Sequence, residues 1–186
     1  MFLNCRYWLF TEKEIRVFVL VGECAMIKRV DKEDILECVN VIKASFLTVA
    51  EGLGFTRENA PGFTAFSISN EKLVEQYEDS QRLMYAYYDK DKIVGYYSLL
   101  LQENDECELN NLSVLPEYRH QGIGEKLVRH AFDNAGESHC KKINIGIVEE
   151  NVILKQWYEK LGFVHIGTKK FDHLPFTSGY LEWIGG

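Results

Sequence analysis

The sequence predicts one α/β domain with a mixed, mostly antiparallel sheet. Strand-like segments rich in β-branched and aromatic residues come in two neighbouring pairs, early and late in the chain, as in antiparallel hairpins. Between these pairs, segments with a helical spacing of apolar residues separate single strands, as in β-α-β crossovers. A chain of 186 residues is long enough to bury one such core without disulfides.

The spacing of the apolar residues predicts the helices and strands of the first half of the chain. Asp31 is suited to cap a helix, because its short side chain accepts backbone hydrogen bonds and acidic residues follow it. Both faces of residues 93–101 are apolar, so we expect this strand in the interior of the sheet. The predicted elements are a strand at 27–30, helices at 34–47 and 70–77 separated by a Gly- and Pro-containing loop or broken helix at 52–62, and strands at 83–88 and 93–102.

The second half predicts strands separated by helices. Pro116 stops a strand, and Gly136 and Gly162 directly follow helical segments, where glycine commonly ends a helix. The predicted elements are a strand at 107–115, a helix at 122–135, a strand at 143–148, a helix at 151–161, and strands at 163–171 and 180–184.

Residues 1–25 precede this pattern, and two interpretations of them stay open. The segment is either an appendage to a domain that covers 26–186 or an additional edge strand through 16–21. The apolar run at 17–21 is too short to span a membrane and lacks the surroundings of a signal peptide. We therefore expect a cytoplasmic protein without a membrane partner.

The charge balance and the cysteines exclude several classes of protein. The 28 Asp and Glu outnumber the 21 Lys and Arg, for a net charge of −7, which argues against a nucleic-acid partner. The five cysteines form no CxxC pair, and the five histidines form no HExxH motif. The sequence therefore predicts neither a disulfide framework nor a metal site.

The strongest chemical signal is a strand that enters a helix through a Gly-containing loop, at 112–124. The first N–H groups of a helix lack intrahelical partners and lie at the positive end of the helix dipole. Gly122 and Gly124 allow these groups to approach a ligand without obstruction by a Cβ atom. The pattern predicts a pyrophosphate site, to which Arg119 adds a positive charge. It is neither a Walker A loop, since Gly-Lys-Ser/Thr is absent, nor a Rossmann fingerprint, since Leu127 occupies the third small position.

Two motifs resemble those of the GCN5-related N-acetyltransferases, known as GNAT. The Val-x-Pro-Glu-x-Arg-x-x-Gly-x-Gly pattern that ends at Gly124 resembles motif A. The segment 151–163 resembles motif B, because it contains Asn151, then Tyr158 two helical turns later, then Gly-Phe. The resemblance covers about 26–183 and is closest over 108–163.

The resemblance implies helices on both faces of the sheet and a central pair of parallel strands that splay apart. It also implies acetyl-CoA as co-substrate, with its pyrophosphate on the loop 119–124 and its pantetheine arm along the strand at 112–114. Asn151 is expected at the pantetheine or thioester. The predicted cofactor-binding residues are Leu112, Ser113, Val114, Arg119, His120, Gln121, Gly122, Ile123, Gly124 and Asn151.

Two side chains are candidates for proton transfer in an acetyl transfer by direct attack. Glu108 precedes Arg119 by eleven residues, the interval found in the histone acetyltransferases of the family, and is the candidate general base, directly or through water. Its alternative role is that of a solvated carboxylate at a strand end. Tyr158 is the candidate acid that protonates the leaving thiolate, and its alternative is a core position. The N–H of Leu112 or Val114, aimed by a bulge at 110–111, is the expected oxyanion donor.

The amine acceptor stays open among an amino acid, a polyamine, an aminoglycoside-like amine and a peptide amine. The resemblance places the acceptor cleft between the segments 48–69 and 171–180. Their aromatic and acidic side chains either suit an organic cation, or the aromatic residues pack against one another and the acids are solvated. Two other functions are a non-catalytic acyl-CoA-binding or sensory module and a protein N-terminal acetyltransferase. Many relatives are dimers, so a homodimer through the Tyr-rich hairpin at 83–102 is a further expectation.

Overall fold

A computed structural model describes residues 26–185, which build a seven-stranded sheet with helices packed on both faces. The strands are β1 (Met26–Arg29), β2 (Arg82–Asp89), β3 (Lys92–Leu101), β4 (Glu106–Val114), β5 (Lys142–Val148), β6 (Val164–Lys170) and β7 (Thr177–Ile184). The helices are α1 (Ile35–Leu53), α2 (Thr64–Ser67), α3 (Asn70–Glu78), α4 (Ile123–Glu137) and α5 (Val152–Lys160), with 3₁₀ turns at Lys32–Asp34 and Pro116–Tyr118. The two interpretations of residues 1–25 lie outside the described residues.

The sheet is mixed, as the sequence predicts. Its strand order is β1-β2-β3-β4-β5-β7-β6, and every neighbouring pair is antiparallel except β4 and β5. The parallel strands β4 and β5 are paired over only three rows, from Glu106 opposite Lys142 to Glu108 opposite Asn144. Beyond that row the two strands separate, which confirms the expected splayed pair and opens a cleft in the middle of the sheet.

The predicted elements are confirmed with shifts at their ends. α1 continues six residues past the predicted end to Leu53, where Gly54 closes it with a left-handed φ of 69°. The short helix α2 lies between the Gly- and Pro-containing segment and α3, and the sequence analysis did not predict it. β7 begins at Thr177, three residues before its predicted start, because it pairs with both β5 and β6.

The core lies on both faces of β3, whose interior position is confirmed. Tyr97 contacts His130 of α4 on one face, with 2.7 Å between the hydroxyl and Nδ1. Its neighbour Tyr96 points to the opposite face, toward Cys38 of α1. Both tyrosines are fully buried, and Tyr87 and Tyr88 of the hairpin are nearly so. The expected role of this hairpin as a subunit interface is therefore not supported, because most of its tyrosines pack inside their own chain.

No helix among residues 26–185 combines the length and the apolar character needed to cross a membrane.

Candidate active site

The loop before α4 presents a row of unpaired backbone donors. The chain leaves β4 through the turn Pro116–Tyr118 and enters the helix at Ile123, with left-handed φ values of 62° at His120 and 78° at Gly122. Among the described residues, no acceptor pairs with the N–H groups of residues 120–125, and the first bond of the helix runs from Lys126 to Gly122. These donors lie at the positive end of a helix dipole, so the loop suits an anionic group such as a pyrophosphate.

The two glycines of the loop serve different purposes. A Cβ at Gly122 would meet nothing within 4 Å, so that residue is needed for its positive φ and leaves open space above the backbone. A Cβ at Gly124 would lie 3.3 Å from the indole ring of Trp157 in α5. Gly124 therefore allows α5 to pack closely against the first turn of α4.

The side chain of Arg119 corrects a sequence-based expectation. Its guanidinium turns away from the loop donors and toward α1, where Nη1 donates to Oγ1 of Thr48 at 2.9 Å and Nη2 donates to the carbonyl oxygen of Ser45 at 3.0 Å. Its Nε also donates to the carbonyl oxygen of Val114 at 3.3 Å. The side chain thus fastens the loop to α1, and its charge is not directed at the loop donors.

The strand that borders the cleft contains the expected bulge. Two residues of β4, Asn111 and Leu112, occupy the space opposite the single residue Tyr97, and Asn111 has a φ of 52°. The bulge is thus one residue further along than predicted. Ser113 is buried, and its hydroxyl donates to the carbonyl oxygen of Asn111 at 2.8 Å. Only the backbone of Ser113 is therefore left for a ligand.

Glu108 lies where the two parallel strands begin to separate. It occupies the last paired row, opposite Asn144 of β5 and Leu100 of β3. Its carboxylate is half-buried and accepts hydrogen bonds from Nδ2 of Asn110 at 2.8 Å and from Nε2 of Gln102 at 3.4 Å. A carboxylate at the base of a cleft is suited to accept a proton from a group that enters it.

The two residues of the second motif take different places. Asn151 caps α5, since its Oδ1 accepts a hydrogen bond from the N–H of Leu154 at 3.2 Å. Tyr158 is 6% exposed, and its ring packs edge-on against Phe163 with 5.3 Å between centroids. Burial raises the pKa of Tyr158, so the phenol keeps its proton at neutral pH.

The aromatic residues expected around the acceptor pack mainly against one another. The Phe55 ring lies 5.2 Å from that of Phe63 and 5.1 Å from that of Phe176. These rings join a second apolar cluster that connects the end of α1 with Val148 at the end of β5. The packing interpretation therefore holds for most of them. Phe171 lies apart, where the Lys169 ammonium stands 4.7 Å from its ring centroid.

Three polar residues near the site were not found by sequence reasoning. Ser45 and Thr48 hold Arg119, and Asn110 contacts Glu108. The contact between Asn110 and Glu108 could have been predicted from the sequence, because residues two apart on a strand share a face. Ser45 and Thr48 precede Arg119 by more than seventy positions, and no local pattern indicates their contact.

The comparisons with known proteins agree with the motifs. The model of the acetyltransferase (GNAT) family matches residues 54–163, which is more than half of the chain. An uncharacterised N-acetyltransferase of Mycobacterium tuberculosis is 25% identical over 114 residues, 61% of this chain and 73% of that protein. The [ribosomal protein bS18]-alanine N-acetyltransferase of Escherichia coli is 31% identical over 75 residues, 40% of this chain and 50% of that protein.

Solved structures share the fold. The PaiA N-acetyltransferase of Thermoplasma acidophilum, solved with coenzyme A, superimposes with a TM-score of 0.72 at 19% identity over 87% of this chain and 99% of that chain. The ribosomal-protein-S18-alanine N-acetyltransferase of Escherichia coli gives 0.70 at 16% identity over 88% and 96%. Sheet, cleft and loop thus define an acyltransferase fold. The chain belongs to the GNAT acetyltransferase family.

Proposed function

We propose that this protein transfers the acetyl group of acetyl-CoA to a primary amine of a small molecule or peptide by direct attack. The observation that carries the proposal is the cleft between β4 and β5, which begins at a carboxylate and lies beside the loop of unpaired N–H donors. The loop is the proposed site of the pyrophosphate, held by backbone donors of residues 120–125. The backbone of residues 112–114, which follows the bulge, is the proposed path of the pantetheine arm.

Each proposed residue performs one part of the transfer. An alkyl ammonium has a pKa of about 10.4 and must lose a proton before its nitrogen can attack. Glu108 accepts this proton, directly or through water, before the neutral nitrogen attacks and the C–N bond forms. An N–H of Leu112 or Val114 donates to the oxygen that becomes negative. Tyr158 donates its phenolic proton to the sulfur as the C–S bond breaks, and the nitrogen gives up its second proton to the resulting phenolate or to water, which leaves an amide and a free thiol.

The cysteines support direct attack over a covalent acetyl-enzyme. Cys107 stands on β4 near the cleft but is fully buried, and burial followed by the neighbouring Cys140 raises the pKa of its thiol. A thiol held in its neutral form is a poor nucleophile. Cys107→Ala should therefore retain turnover.

Thiol release from acetyl-CoA tests the proposal against a panel of lysine, spermidine, kanamycin and a peptide with an N-terminal alanine. Tyr158→Phe should lower kcat by about 10²–10⁴-fold, the usual contribution of a general acid, with coenzyme A affinity little changed in calorimetry. Unaltered turnover in this variant would make Tyr158 a core residue. Coenzyme A binding without thiol release for any amine would instead indicate a non-catalytic acyl-CoA-binding module.

A further inference from the structure

We propose that Asn110 and Arg82 are positioning residues that orient the Glu108 carboxylate. This inference rests on the proposed function of Glu108 as the general base. Asn110 contacts the carboxylate directly, and Arg82, which lies two strands away on β2, contacts Asn110.

The three groups form a continuous chain of short hydrogen bonds. Nη1 of Arg82 on β2 donates to Oδ1 of Asn110 on β4 at 2.7 Å. The same nitrogen donates to Oγ of Ser98 on β3 at 3.0 Å. Nδ2 of Asn110 then donates to Oε1 of Glu108 at 2.8 Å. The guanidinium is thus connected to the carboxylate through one carboxamide.

The chemistry of arginine fixes the direction of this chain. A guanidinium has donors only, so it must face the oxygen end of the Asn110 carboxamide. The NH₂ end is then directed at Glu108, where only an acceptor satisfies it. Oε1 of Glu108 is that acceptor, so the arrangement holds the carboxylate in one orientation.

Among residues 26–185, no acidic side chain forms an ion pair with Arg82 that would explain its position. Within the described residues no carboxylate oxygen lies within 4.0 Å of its guanidinium, and its Nε is buried without a hydrogen-bond partner. A partly buried positive charge is costly unless a negative charge compensates it. Glu108, reached through Asn110, is the carboxylate that supplies this compensation.

The other charged groups on this side of the sheet are engaged elsewhere. Glu106, two residues before Glu108 on the same face, pairs with Lys142 at 3.2 Å and accepts from Nδ2 of Asn144 at 2.8 Å. Lys142 also pairs with Glu182 of β7 at 3.5 Å. In the described part of the chain, no charged side chain of α1 or α4 forms a hydrogen bond or ion pair with Glu108. Arg82 is therefore the cation connected to the base.

The separate effects on kcat and on the KM of the amine test this role, measured by thiol release with the most active amine of the panel. Asn110→Leu and Arg82→Met should lower kcat and leave the KM of the amine nearly unchanged, because each removes a group that orients the carboxylate. At neutral pH, Asn110→Leu should lower kcat/KM by about 10- to 100-fold, the range for a hydrogen bond to a charged group. Coenzyme A affinity in calorimetry should stay unchanged.

The chain offers matched controls. Gln102→Leu removes the longer and exposed donor to the same carboxylate and should lower kcat much less than Asn110→Leu does. Arg82→Lys keeps a donor-only cation and should retain more activity than Arg82→Met. Asn110→Ser serves as a second variant if Asn110→Leu lowers the melting temperature, since it removes the donor with less change in polarity.

A Glu108→Gln background separates the two proposals. If the relay acts through Glu108, adding Asn110→Leu to Glu108→Gln should cause no further loss. An impaired Glu108→Gln combined with an unchanged kcat in folded Asn110→Leu or Asn110→Ser would overturn the relay alone. Full activity in Glu108→Gln would overturn the base assignment, and the relay with it.

Discussion

Single residues of the loop before α4 build the candidate phosphate site through backbone conformation. Gly122 adopts a φ of 78°, which L side chains rarely adopt, and it lies among the residues whose N–H groups have no partner within the described part of the chain. The non-glycine His120 adopts a φ of 62° in the same loop. Strained conformations of this kind persist where the surrounding structure imposes them. Here Arg119 supplies that constraint by fastening the loop to α1.

Gly122→Ala tests two roles of this glycine separately, its positive φ and the open space that it leaves for a ligand. We expect a loss of about 1–2 kcal/mol in the free energy of unfolding, because alanine is disfavoured at this φ. We also expect coenzyme A affinity to fall by at least about tenfold, or 1.4 kcal/mol, because the new Cβ occupies the space above the donors. Urea unfolding and calorimetry measure the two effects.

Gly136→Ala is the matched control within α4. Gly136 lies in the last turn of the helix, where an added Cβ meets nothing within 4 Å. This variant should gain about 0.5–1 kcal/mol of stability, because alanine restricts the unfolded chain. Its coenzyme A affinity should equal that of the wild type, and an equal loss in both variants would remove the loop from the binding site.

At the scale of elements, Arg119 joins three parts of the fold. Its guanidinium connects the end of β4, the loop and the middle of α1 through hydrogen bonds to Val114, Thr48 and Ser45. The planar fork of an arginine can serve several acceptors at once, which a lysine ammonium does less well. The position of the loop relative to the sheet therefore depends on α1, although α1 contributes no residue to the loop.

Arg119→Leu should destabilise the protein by about 1–3 kcal/mol, because it leaves partly buried acceptors on α1 without their donor. Arg119→Lys should recover only part of this loss. Coenzyme A should bind more weakly to both variants, since the loop is no longer fastened. The control is Arg129→Leu, which removes an exposed i,i+4 pair with Glu125 and should cost at most about 0.5 kcal/mol.

At the scale of the whole molecule, the sheet consists of two parts connected at β4 and β5 over three residue pairs. The part that contains β5, β7 and β6 is held together by side-chain contacts as well as by strand pairing. Glu149, which follows β5, forms an ion pair with Lys155 of α5, and its Oε2 lies 3.0 Å from Nε2 of His165 on β6. Its carboxylate lies over Gly179 of β7, where a Cβ would collide with Oε2.

This cluster predicts a pH dependence of stability with a definite sign. Lys155, and then His165, hold the pKa of Glu149 below its ordinary value of 4.5. A depressed folded-state pKa contributes stability above the unfolded value, and this contribution is lost as the pH falls through the folded value. Between pH 6 and pH 3, the wild type should therefore lose more stability than Glu149→Gln in urea unfolding. Glu103→Gln, at an exposed position, should follow the wild type, and parallel curves for all three proteins would contradict the assignment.

The sequence by itself determined the elements and the local chemistry of the site. Apolar periods located the strands and helices, and the order of strand, Gly-containing loop and helix located the backbone donors, because these features depend on neighbours a few residues apart. The tertiary structure decided which distant groups meet. It directed Arg119 toward Ser45 and Thr48, it placed Arg82 beside Asn110, and it packed Phe55 against Phe176. Spacing assigns a residue to a face of its own element, whereas its partner on another element depends on strand order, register and helix packing across the completed sheet.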